Sequence, residues 1–250
     1  MSNPFIVPEP GQSSLGDFDL SGRTVDAGRS FAWLNLGWSL FKRTPGMWIA
    51  VTVTMLVILI VLGMVPVIGQ LAVNFLILVF AAGLMLGCRS LEQGGELRFE
   101  HLFAGLRQNT GNLIMVGVFY LIGLVAIMAI TFAVTGGGAL TGAMMGHDAG
   151  MAMAAGSLLI ALLVMLVLTM PLIMGIWFAP ALVIFHDTGP LAAMKASFSA
   201  CMKNVLPFLV YGVILFVLTL VAAIPFGLGF LVLIPVLVGA QYASYMDIFE

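Results

Sequence analysis

Six apolar runs, at about 45–65, 67–91, 110–134, 160–186, 205–224 and 226–248, are each long enough to cross a hydrocarbon core of about 30 Å, which takes roughly 20 helical residues. None carries a Lys, Arg, Asp or Glu near its middle. In hydrocarbon, every backbone N–H and C=O has to be satisfied within its own segment, so such runs are helices. Charged residues make up 8% of the chain, against about 25% in a soluble protein, and mean hydropathy is +1.16. That is too little polar surface to face water. The fold expected is all-α, a polytopic membrane bundle of six transmembrane helices.

The 9 Lys and Arg residues decide its orientation. They are Arg23, Arg29, Lys42, Arg43, Arg89, Arg98, Arg107, Lys195 and Lys203, all in the N-terminal segment or in the connections 2–3 and 4–5 and their flanks. By the positive-inside rule both termini are expected in the cytoplasm. In LFKRTPGMW, Leu40 to Trp48, the two cations precede a new helix at Pro45. Facing a helix N-terminus costs them about 0.3–1 kcal/mol. At the bilayer centre they would cost about 2.5–3.5 kcal/mol, so the pair holds this end outside the membrane. The first thirty residues hold no apolar core of a cleavable signal peptide, so the first membrane helix is expected to direct insertion. Residues 1–25, rich in Pro, Gly, Ser and Asp, are expected to be a disordered cytoplasmic tail, with NPFIVPEP as an alternative docking motif. Residues 26–250 form the membrane domain.

That domain reads as three units, about 29–92, 96–187 and 190–248. Aligning Thr44 with Asn109 and Asn204 places Leu34, Phe99 and Met194 in one column. Trp38, Phe103 and Phe198 fill a second, and Phe41, Leu106 and Cys201 a third. After the step come Trp48, Leu113 and Phe208, and the acids Glu92, Asp187 and Asp247 end the returning spans. Each unit is then an amphipathic cytoplasmic-side interfacial helix, an outgoing span, a turn and a returning span, a threefold internal repeat. The alternative is the alternation that any six-span chain must show. In the first interfacial helix Phe31, Leu34, Trp38 and Phe41 make the apolar stripe.

The segments FAWLNLGWSLFKRTPGMW, AAGLMLGCRSLEQGG, LFAGLRQN, IWFAPALVIFHDTGPLAAMKASFSACMKN and SYMDIF resemble an uncharacterised family of proteobacterial inner-membrane proteins over about residues 30–250. The resemblance implies a bacterial inner-membrane location and carries over no activity or site residues. In layout rather than motif the chain is also similar to the membrane domain attached to some glycerophosphodiester phosphodiesterases, but it has no room for their catalytic domain.

Chemistry has few places to reside. The chain has no P-loop, HExxH, GxSxG or CxxC motif, so no enzyme is expected. No cofactor is expected either, and without a basic patch neither is nucleic acid. From Met151 to His186 one straight helix would be about 54 Å long, so the fourth span must break, tilt or project. Pro171 and Pro180 are the natural breaks, and with Trp177 and Phe178 they form a candidate ligand site to which Gln241, Tyr242 and Tyr245 would add polar groups. The alternative is a set of packing kinks. The extracytoplasmic connection gathers Met144, Met145, His147, Met151 and Met153, a soft ligand set suited to Cu(I), with a Gly/Ala loop against lipid as the alternative. Gly83 and Gly87 make a GxxxG face for a close helix contact, within the chain or between copies. Cys88 and Cys201 lie on the reducing side, so a disulfide is not expected. His101, His186, Asp187, Glu92 and Glu100 fit no metal spacing, and the acids are expected to pair with Arg89, Arg98, Lys195 and Lys203. The leading expectation is a non-enzymatic module that binds membrane lipids or a partner, either another membrane protein or a second copy. The alternative is a small-molecule permease or exporter around the fourth span.

Overall fold

The computed structural model describes residues 19–144 and 147–250, side chains at 137–144 and 147–154 excepted. Its elements are α1 (Arg29–Arg43), α2 (Pro45–Gly63), α3 (Ile68–Glu92), a 3-10 helix η1 (Phe99–Leu106), α4 (Thr110–Met144), α5 (His147–Trp177), α6 (Ala179–His186), α7 (Pro190–Lys203), α8 (Val205–Ala223) and α9 (Phe230–Phe249). Short, long, long is repeated three times, with α6 as the broken end of α5. Among the described residues six stretches are long and apolar enough to span a membrane. The steps that begin the outgoing spans match: the carbonyls of Thr44, Asn109 and Asn204 each accept a hydrogen bond at 3.1 Å, from the N–H of Trp48, Leu113 and Phe208.

The units close into a ring. The returning span α3 packs on η1 of the next unit, α5 on α7, and α9 on α1 of the first. Lipid is as apolar as leucine, so these joints need close backbone approach and hydrogen bonds rather than hydrophobic drive. At the α1/α9 joint Gly37 crosses Gly239, and a Cβ on Gly37 would lie 2.2 Å from the Val236 carbonyl oxygen. At the α3/η1 joint a Cβ on Gly83 would lie 2.2 Å from the His101 carbonyl oxygen, so the GxxxG face serves a contact within the chain. At the α5/α7 joint the buried Ser197 bonds to the backbone of the facing helix.

Four sequence expectations change. In α1 the buried face is Ser30, Trp33, Gly37, Leu40 and Phe41, while Phe31 and Trp38 point outward. The Gly37 notch sets that rotation, because only a residue without Cβ fits against α9. The second interfacial helix is a 3-10 helix. Pro171 lies inside α5, and the fourth span breaks only at Phe178, before Pro180. The Gly-rich stretch expected as a connection is helical, because α4 (35 residues) and α5 (31 residues) run on as a packed antiparallel pair. At 1.5 Å per residue α4 is about 52 Å long, about 20 Å beyond the hydrocarbon core.

Residues 19–25, the end of the segment read as a tail, are tied down. Arg23 N–H donates to the Ile248 carbonyl (2.8 Å), its Nε to the Asp247 carbonyl (2.6 Å), and Val25 N–H to Asn204 Oδ1 (2.8 Å). Lys203 Nζ donates to the carbonyls of Ser21 (2.9 Å) and Gly22 (3.1 Å). Composition read this stretch as open chain because its partners are carbonyls almost the whole sequence away. The rest of the expected tail, with NPFIVPEP, lies outside the described residues.

Candidate functional site

The polar residues meet at one end of the bundle, where the three returning spans finish. Arg89 comes from the last turn of α3, His186 from the end of α6, and Tyr245 and Glu250 from the end of α9. Arg89 Nη2 donates to Glu250 Oε1 at 2.7 Å, and its guanidinium carbon sits 4.2 Å from the Phe185 ring centroid. Tyr245 OH donates to the same Glu250 oxygen at 2.9 Å and is 2.5 Å from His186 Nε2. A phenol has one proton, so His186 Nε2–H is the donor to the tyrosine oxygen. Beside this cluster Tyr242 OH donates to Glu92 Oε2. On the outer side Arg29 grips Asp247 through two N–H donors (2.6 and 2.7 Å), and Trp33 Nε1 adds a third (2.9 Å). The hydrogen bonds that Arg29 donates to Asp247, and the carboxylate's charge, hold the Arg29 pKa above its ordinary value.

Each of the three returning spans thus sends polar groups into the Arg89 cluster, one from α3, one from α6 and two from the end of α9. Glu250 is 7% exposed, and removing one partner of such a buried ionic contact strands the other. The cluster is therefore a clasp on the three spans. The pairs differ from those expected, since Glu250 and Arg29 take the places given to Glu100, Arg98 and Lys195. His101 is not drawn into it: its Nδ1 accepts the Arg98 N–H at 2.9 Å.

The break in the fourth span is sealed from within. Ser197 Oγ accepts the Phe178 N–H (2.9 Å) and donates to the Met174 carbonyl (2.6 Å), while Gln241 Nε2 donates to the Trp177 carbonyl (2.6 Å). Of the candidate ligand residues, the structure brings Trp177, Phe178, Pro180 and Gln241 together. Pro171 lies two turns away in an unbroken helix, and Tyr242 and Tyr245 belong to the polar end. The 220 Å³ cavity beside the break is walled by hydrocarbon and aromatic groups, among them Met170, Met174, Trp177, Phe208 and Leu215. Ser197 was missed because one serine in an interfacial helix carries no pattern. Glu250 was missed because its charged partner, Arg89, is far away in sequence. The candidate copper ligands Met144, Met145, His147, Met151 and Met153 lie outside the described side chains.

A larger opening lies at the joint that closes the ring. Between α1, α8 and α9 an open groove of about 490 Å³ is lined by Leu218, Val221, Val232, Leu233 and Val236, with Asn35 and Trp38 of α1 on its wall. Lys42 Nζ stands 6.0 Å from the Trp38 ring centroid. The groove therefore pairs an aliphatic trough with an amide and an aromatic ring on its wall, and a cation stands beside that ring.

Six apolar spans, interfacial helices and a polar clasp at one end define an integral, multi-pass membrane protein. No family model and no solved structure matches the chain. It is similar to a Burkholderia thailandensis protein described as "Probable inner membrane protein", with 32% identity over 213 residues, 82% of this chain and 78% of that one. The chain belongs to that family of inner-membrane proteins. Nothing in these comparisons bears on the layout likeness to the phosphodiesterase membrane domain.

Proposed function

We propose that the protein is a non-enzymatic inner-membrane module that binds a phospholipid in the groove between α1, α8 and α9. The observation that carries this reading is the groove itself. Its trough is aliphatic, it opens at the bundle surface, and its wall carries Trp38 and Asn35 with Lys42 beside the Trp38 ring, groups suited to the headgroup level. The outward Phe31 and Trp38 extend the same lipid-facing surface. Both termini lie in the cytoplasm in this reading: every Lys and Arg belongs to α1, η1, α7, their flanks or the last turn of α3, and the positive-inside rule assigns that end. Fusing a cytoplasm-dependent fluorescent reporter to the C-terminus tests this, and a dark fusion would reverse the orientation.

A permease at the broken span has less support, because the carbonyls that would line a path are bonded to Ser197 and Gln241 and the adjacent cavity is apolar. The test is native mass spectrometry of protein released gently from its own membrane. The expected result is a retained phospholipid that is lost in Val221→Trp, which fills the groove from an exposed position, without a change in thermal midpoint. Protein that emerges folded and lipid-free, or carries a protein subunit there instead, contradicts the lipid reading.

A further inference from the structure

A second cavity, of about 440 Å³, lies at the polar end between the last turns of α3 and η1, away from the groove. Arg89, Ser90, Gln93, Gly95, His101 and Gln108 border it. Its chemistry is one-sided. Arg89 uses Nη2 for Glu250, and its Nε and Nη1 donors have no acceptor among the described residues. His101 accepts the Arg98 N–H at Nδ1, which puts the proton of the neutral ring on Nε2 as a donor. The exposed Gln93 and Gln108 side-chain amides make no hydrogen bond within the described residues. No carboxylate borders the cavity among the described residues, and Glu92, next to Gln93, accepts from Tyr242.

A guanidinium, an imidazole N–H and two carboxamides thus border, from three chain segments, a space that no carboxylate lines among the described residues, Glu250 holding Arg89 from its far side. A planar carboxylate is satisfied by one arginine fork. Donors from several directions suit a tetrahedral anion with three or four oxygens. We propose that this cavity binds a phosphate ester, with Arg89 supplying the charge and His101, Gln93 and Gln108 the remaining hydrogen bonds. The ester is either the headgroup of an anionic lipid or a soluble phosphate ester.

The test uses the full chain in maltoside micelles, which contain no phosphate. Native mass spectrometry follows titration with sn-glycerol 3-phosphate and, separately, with phosphatidylglycerol, for wild type, Gln93→Glu, Gln108→Glu and Gln93→Lys. Both glutamine side chains are exposed and make no hydrogen bond among the described residues, so the fold should survive, and a thermal midpoint checks it. Each glutamate should weaken saturable binding about tenfold, the effect of one like charge across a solvated cavity, and the lysine should strengthen it. This pattern with glycerol 3-phosphate assigns a soluble ester. The pattern with phosphatidylglycerol alone assigns a lipid headgroup. Saturable binding of neither probe, equal binding by all four proteins, or acetate bound as tightly as the esters overturns the proposal. Since the groove involves other helices, failure here leaves the lipid reading standing.

Discussion

Replacing Gly37 with alanine should open the ring at its closing joint. The added Cβ would lie 2.2 Å from the Val236 carbonyl oxygen and 2.8 Å from the Ala240 nitrogen, and both atoms are backbone, so no side chain can swing aside. Restoring ordinary contact requires α1 and α9 to part by about 1 Å, and overpacking of this kind costs about 1–3 kcal/mol. The shift also pulls Arg29 and Trp33 off Asp247, where a weakened charged hydrogen bond adds about 1 kcal/mol. A total near 3 kcal/mol corresponds to a fall of about 6–12 °C in the thermal midpoint for a chain of this size. The assay is thermal unfolding in detergent followed by size-exclusion chromatography. The control is Gly212→Ala in α8, where an added Cβ meets nothing within 4 Å. There the lost backbone freedom of the unfolded chain should leave stability unchanged or raised by about 0.5–1 kcal/mol. If Gly37→Ala is as harmless as Gly212→Ala, the account of the joint fails.

Ser197→Ala leaves the Phe178 N–H and the Met174 carbonyl without their partner, and should cost about 1–3 kcal/mol by the same unfolding assay; an unchanged midpoint would mean that the break is not sealed there. Burial holds the His101 pKa below its ordinary value, so the unfolded chain binds the proton more readily. Stability should be full above about pH 6.5 and fall as pH drops below it toward the depressed folded value, and His101→Gln should remove that part of the slope. Burial pushes the Cys201 thiol up to about 12, and Cys201 and Cys88 are both buried, so a membrane-permeant maleimide should label neither until the protein is unfolded. Rapid labelling of the folded protein would contradict the packing around α7 and α3.

The spans and their steps were legible because the bilayer forces a length and a charge distribution on the sequence. Pro45 marks a helix start by local chemistry alone, whereas the side chains of Asn109 and Asn204 bond to groups far away in sequence. The ring was not legible: the contact of α9 with α1 rests on Gly37 and Gly239, two among many glycines, and no local pattern links residues so far apart. Charge placement showed which end Arg89 and Glu92 occupy, but their partners Glu250 and Tyr242 are set by packing of the returning spans. Prolines were equally ambiguous. Pro171 and Pro180 look alike in sequence, yet the helix breaks only at Pro180, where Ser197 and Gln241 supply the hydrogen bonds that a break requires.

The central claim is that one phospholipid sits in the groove made by the first and last units. It is tested most directly by reconstituting the protein with a phospholipid carrying a diazirine on its acyl chain, irradiating, and mapping the labelled peptides. The account predicts label concentrated on Leu218 to Val221 and Val232 to Val236, and its loss from both in Val221→Trp. Label spread evenly over the lipid-facing surfaces of α4, α5 and α8, unchanged by that substitution, would contradict it.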